Sequence, residues 1–162
     1  MRQTATVTLH TSQMLNANHR LHWREVANRK AVLREFGRLS LGRELTPVTE
    51  KVRITAEFKF PTARTRDRAN LHPTVKHLVD GIVKAGILVD DSDEWIDGPD
   101  IVISDEKSGR PGYVVVTVAL EDERGGRRAR LAAAEAQIMR EREEAARAKA
   151  LARAGADARR KR

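Results

Sequence analysis

Hydrophobic and polar positions alternate most cleanly in KVRITAEFKF (51–60). Val52, Ile54, Ala56, Phe58 and Phe60 fall on one side, and Arg53, Thr55, Glu57 and Lys59 on the other. A period of two marks a half-buried strand. Pro61 ends it, because proline cannot donate to a strand ladder. ATVTLH (5–10) repeats the pattern with Ala5, Val7 and Leu9 against threonines. Residues 23–40 change to a helical period, with Val26, Leu33, Phe36 and Leu39 on or near one face. An arginine-rich loop spans 61–72, and Pro73 then stands in the first turn of a helix, where its missing N–H is tolerated. Val75, Leu78, Val79, Ile82 and Val83 follow at i, i+3, i+4, i+7 and i+8, the stripe of a packed helix over 74–85, and Gly86 stops it. ILV (87–89), IVIS (101–104) and YVVVTVAL (113–120) read as strands, the last two joined by DEKSGRPG as a hairpin-like turn. The predicted order is β-α-β-α-β-β-β, a small mixed-sheet α/β domain.

The pattern changes after Gly125-Gly126. The segment RRARLAAAEAQIMREREEAARAKALARA is built from strong helix formers, but its large apolar residues are only Leu131, Ile138, Met139 and Leu151. That is too sparse for a core helix and predicts a long, exposed C-terminal helical extension. The boundary falls at 1–122 and 123–162. Charge follows the same boundary: 13 Lys and Arg against 6 Asp and Glu in 123–162, and 18 against 17 in 1–122. A basic tail on a near-neutral domain suits a polyanion such as nucleic acid, or serves only as a solubilising end. The chain has no cysteine, which excludes disulfides and thiolate zinc sites. No apolar run approaches the roughly 20 residues of a membrane span, and MRQTATVTLH lacks the apolar stretch of a secretory signal. The expectation is a cytoplasmic protein without a membrane partner.

The 74–85 helix has a second use as a spacer. Such a helix is about 18 Å long at 1.5 Å per residue. Three or four extended residues after Gly86 return roughly 10–13 Å. Asp90 and Asp91 are thereby carried back towards the helix start, where Asp67 and Asn70 lie. Clustered carboxylates repel one another, and a hard divalent cation relieves that. Mg²⁺ is commonly held by one or two carboxylates with water and substrate phosphate. Lys76 lies in the first turn, placed to touch a scissile phosphate or the attacking water, and Arg64, Arg66 and Arg68 supply charge along an adjacent backbone. These parts describe metal-dependent phosphodiester cleavage. Each also has a structural alternative: DDSDE as a solvated turn, Asp67 as a salt-bridge partner in an arginine loop, and Lys76 paired with Asp80 four residues on. His72 and His77 lack the spacing of soft-metal ligands, and Trp23 and Trp95 read as packing residues.

The stretch RDRANL…K…VDGIVKAGILVDDSDE resembles the RusA family of Holliday-junction resolvases, especially the forms carried by phages and prophages. The resemblance covers roughly residues 4–120. Asp67, Asn70, Leu71, Lys76, Asp80, Ala85, Gly86, Asp90 and Asp91 match in kind, and LNANHR is similar to the family's N-terminal motif through Asn18 and Arg20. The resemblance implies a homodimer that binds branched double-stranded DNA in recombination and repair and nicks it with Mg²⁺, or with Mn²⁺. It implies catalytic roles for Asp67, Asp91 and Lys76, a metal set of Asp67, Asp90, Asp91 and Asn70, and DNA contacts at Asn18, Arg20, Arg64, Arg66 and Arg68. One family aspartate is missing. Two residues after Asp67 stands Ala69; counted back from Lys76 without a gap, the expected acids fall on Asn70 and His72. Either register loses a carboxylate, which weakens attraction for the cation. The rival readings are a catalytically weak or inactive branched-DNA-binding protein on the same fold, and an RNA- or protein-binding module working through its tail.

Overall fold

The computed structural model describes residues 1–122 together with Met139. The expected helical extension lies, Met139 apart, outside the described residues. The chain divides into two units, Met1–Glu123 and Arg124–Arg162, and the fold below is that of the first. Among the described residues no helix is long and apolar enough to cross a membrane.

Four strands, β1 (Arg2–His10), β2 (Val52–Lys59), β3 (Ile96–Ile103) and β4 (Tyr113–Asp122), form one mixed sheet in the order β1-β4-β2-β3. β4 runs antiparallel to β1 and β2, and β3 is parallel to β2. Parallel neighbours need a crossover, supplied here by helix α3 (His72–Lys84). The other main helix, α1 (Trp23–Phe36), runs into a π turn over Gly37–Leu41 and a single α turn, α2 (Gly42–Glu44).

The alternation in β2 becomes one buried face. Val52, Ile54, Ala56 and Phe58 are buried, and in register with them stand Leu120, Val118 and Val116 of β4. Ala5, Val7 and Leu9 extend the face through β1. Leu33 of α1 and Val75, Leu78 and Ile82 of α3 belong to the same core. Each fully buried Leu, Ile or Phe in such a layer contributes about 1.5–3 kcal/mol. The helices meet through two glycines. A Cβ on Gly37 would stand 2.1 Å from the Leu78 carbonyl oxygen, and one on Gly81 would stand 2.2 Å from that of Arg34. Only glycine permits this approach of two backbones.

Several expectations change. Residues 87–89 form no strand. Ile87 and Leu88 are buried in an irregular return, held by the Val48 N–H to the Ile87 carbonyl at 2.8 Å and the Ile87 N–H to the Ile82 carbonyl at 3.2 Å. Three apolar residues are too few to separate a strand from a buried loop. The observed order is therefore β-α-β-α-β-β. The 105–112 segment is not a hairpin, because β4 pairs with β2 and β1 rather than with β3. β3 also starts at Ile96, five residues before the predicted IVIS. Its early part contains an irregularity: Arg53 faces Asp97, but Thr55 faces Asp100, so Gly98 and Pro99 bulge opposite Ile54. Gly98 takes φ +105° there. The Arg53 guanidinium spans the bulge, with Nη1 to Asp97 Oδ2 at 2.7 Å and Nε to Asp100 Oδ2 at 2.7 Å. Leu39, expected on the core face of α1, is exposed while Leu41 is buried. The wider π turn shifts the helical phase between them.

The outer strands are guarded. Pro99 sits in β3, and the outward N–H of Thr6 in β1 donates to Glu44 Oε2 of α2 at 3.0 Å.

Candidate active site

Asp67 caps a 3-10 turn over Arg68–Leu71 that leads into α3, with its Oδ1 accepting the Ala69 N–H at 2.9 Å. The polar connection before α1 is tied to the same place. Thr74, fully buried, donates its hydroxyl to the Leu15 carbonyl at 2.7 Å and accepts the Leu15 N–H at 2.9 Å. The Ala17 N–H reaches the Asn70 carbonyl at 3.2 Å. These bonds carry Asn16 and His19 to a cavity of ≈ 520 Å³ that Arg64, Asp67 and Asn70 also line. The Asn70 amide has no partner among the described residues. Asn18 and Arg20, the expected DNA contacts, are exposed and lie outside this lining; Asn16 takes the inward position, its Oδ1 accepting the Asn18 N–H at 2.8 Å.

The three loop arginines separate into two kinds. Arg64 and Arg68 are exposed. Arg66 is half-buried, lies 3.9 Å over the Phe60 ring, and donates to the carbonyls of Thr62 and Arg64 at 2.9 and 3.0 Å. Burial, then the neighbouring Arg64 charge, holds its guanidinium below the ordinary arginine range. Arg66 shapes the loop that presents the other two.

Beyond α3, Ala85 continues the last turn and Gly86 takes φ +75°, which reverses the chain. The return brings Asp91 back to the first half of α3, where Lys76 Nζ lies 3.1 Å from Asp91 Oδ2 and 3.4 Å from Asp80 Oδ1. The hydrogen bond from Lys76 holds Asp91 below the usual carboxylate range, and the same bond, with the Asp80 charge, raises Lys76. Asp90 stays exposed and caps the Asp91 N–H at 2.6 Å. Asp80 is the hub: its Oδ2 lies 3.0 Å from His77 Nδ1 and 3.3 Å from Arg34 Nε of α1. Burial raises the Asp80 pKa, but the His77 hydrogen bond, the Lys76 charge and the Arg34 hydrogen bond outweigh it and leave a net lowering. Lys76, His77 and Asp91 line a second cavity of ≈ 520 Å³, with Lys30, Ile96 and Pro99.

The start of α3 thus carries two polar groups. Asp67 and Asn70 line one cavity and Asp91 the other. Among the described residues no group of three or more His, Cys, Asp or Glu is placed to hold a metal ion. Arg34 and His77 were missing from the predicted site. The His77–Asp80 spacing of three was readable on a helix; the Arg34 contact needs the α1–α3 crossing. Trp95 packs against the core as expected, whereas Trp23 is 68% exposed beside Arg24, whose guanidinium carbon is 5.2 Å from the ring centre. Trp23 falls in the opening turn of α1.

A scan against protein-family models finds no match for this chain, and a search of curated proteins finds none.

Proposed function

We propose that the chain is a RusA-like, Mg²⁺-dependent endonuclease acting on branched double-stranded DNA as a homodimer. The observation that carries this reading is the return of Asp91 to Lys76 on α3, on a domain that also exposes Arg64 and Arg68. A carboxylate and an ammonium held together there suit a phosphodiester: the ammonium attracts the phosphate, and the carboxylate is a hard oxygen donor. Arg64 and Arg68 would hold backbone phosphates, with Asn18, Arg20 and the basic tail adding contacts.

The oxygen donors are of the kind a hard cation takes, although Asp67 and Asn70 line one cavity and Asp91 the other. Asp67, Asn70, Asp90 and Asp91 all offer oxygen, Asp67 has one carboxylate oxygen outside its bond to Ala69, and the Asn70 amide is unpartnered among the described residues. With so few carboxylates, substrate phosphate and water would complete the set. Mg²⁺ or Mn²⁺ held by these donors would supply charge stabilisation at the phosphate and a more acidic water.

The test is a labelled four-way junction incubated with the protein in Mg²⁺ and in EDTA. Nicks near the crossover in Mg²⁺ alone, with binding in both, are the expected result. Binding without nicks in Mg²⁺ or Mn²⁺ would replace this reading by a non-catalytic junction-binding protein. The engagement of Asp67 by the N–H of Ala69, where the resemblance expects an aspartate, favours that second reading.

A further inference from the structure

We propose that His77, oriented by Asp80, accepts a proton from the attacking water in a phosphate-binding cavity between α3 and β3. The proposal rests on the phosphodiester-cleavage reading above and names a residue that reading does not contain.

The His77 side chain is 9% exposed. Its Nδ1 is 3.0 Å from Asp80 Oδ2. Asp80 is paired with Lys76 and Arg34, and as a carboxylate it can only accept, so Nδ1 carries the hydrogen. In neutral His77 the lone pair is therefore on Nε2. Nε2 has no protein partner among the described residues, and no buried side-chain nitrogen or oxygen there is left unsatisfied. Nε2 is therefore not sealed within protein, and the space that His77 lines is this cavity. Here a carboxylate fixes the tautomer and the basic nitrogen is left facing a space.

That space suits a phosphate ester. Lys30 and Lys76 supply positive charge, and Val79, Ile96 and Pro99 give an apolar floor. The charged or titratable groups around His77 are Lys76, Asp80 and His72 from α3, Arg34 and Lys30 from α1, and Asp91 from the return; β3 lines the cavity only with Ile96, Gly98 and Pro99. The water oxygen forms the new bond to phosphorus and its proton passes to Nε2. The phosphorus–oxygen bond to the leaving nucleoside breaks, and that oxygen takes a proton from solvent water. His77 then returns its proton to solvent.

The experiment compares the full chain with His77→Ala and His77→Gln on a labelled junction in Mg²⁺. Both variants are expected to bind the junction in EDTA like the parent and to cut it at least about a hundredfold more slowly, the scale of general-base catalysis. Added imidazole should restore part of the rate to His77→Ala. The parent rate should rise with pH, and that rise should vanish in His77→Gln. Separately, ¹⁵N-histidine NMR of the parent should show the Nδ1–H tautomer and an Nε2 signal that moves with inorganic phosphate. Parental cutting rates in folded variants, or slow cutting that imidazole does not rescue, would overturn the role; so would the opposite tautomer. A parent that never cuts while His77 still responds to phosphate would defeat the nuclease reading and the proton transfer together, a result distinct from a cutting parent whose His77 variants cut equally well.

Discussion

The middle and the beginning of α3 are built on opposite principles. In the middle, Gly81 and Gly37 bring two backbones so close that no side chain fits between them. On the side leading back to the helix start, Lys76, His77 and Asp80 form a polar cluster of which Lys76 and His77 line a cavity, and Asp91 arrives from a separate return of the chain. The tight crossing fixes where α3 lies. The loose polar end is then positioned without being filled. A site of this kind is rigid in its frame and open in its contents, which is what recognition of a ligand requires.

The sharpest way to break that contrast is Gly81→Ala. Its Cβ would collide with the Arg34 carbonyl oxygen, which cannot swing away as a side chain would. Chemical denaturation should show a loss of about 3 kcal/mol, at the upper end of overpacking effects; a variant as stable as the parent would mean the crossing is not tight. Asp91→Asn should do the reverse. Junction cutting should fall at least about a hundredfold, with unfolding shifted by less than about 1 kcal/mol because its ion pair is exposed. Undiminished cutting would remove Asp91 from the site.

Smaller effects sharpen the same division among the arginines. Arg64→Ala and Arg68→Ala should each weaken junction binding across sequences and reduce its salt slope by about one, read by titrations at several salt concentrations. Arg66→Ala should lower the loop's stability first, since its guanidinium is stacked on Phe60. Last comes acidity. Asp80 and Asp91 are held below their ordinary carboxylate pKa. The unfolded chain therefore takes up protons first as pH falls. The stability they contribute is complete above the ordinary carboxylate range and is lost as pH drops through their lowered folded values. Thermal melts across that window should show the loss, and Lys76→Met, which removes the Asp91 hydrogen bond, should flatten it.

Much of the frame was legible in the chain. The β2 alternation, the α3 stripe and the stop at Gly86 are local periodicities, and each appears where the pattern put it. What stayed hidden is non-local. β3 begins inside IDGPD, which reads as a turn until Arg53 is seen spanning its bulge. The placement of β4 beyond β2 is a property of the whole sheet. At the site, Asp91 returns to the first half of α3 as the helix length and the stop at Gly86 suggest, but through an irregular return rather than the expected strand. The expected convergence is not seen: Asp67 and Asn70 line one cavity and Asp91 the other, and Asp67 caps its own loop, a competition with a nearby backbone N–H that local geometry settles.

The borders of the sheet carry one more consequence. An open strand edge is a template on which another chain can zip. Here Pro99 lacks the hydrogen such zipping needs on one flank, and Glu44 already occupies the Thr6 amide on the other. Both features work against two copies of this sheet joining edge to edge.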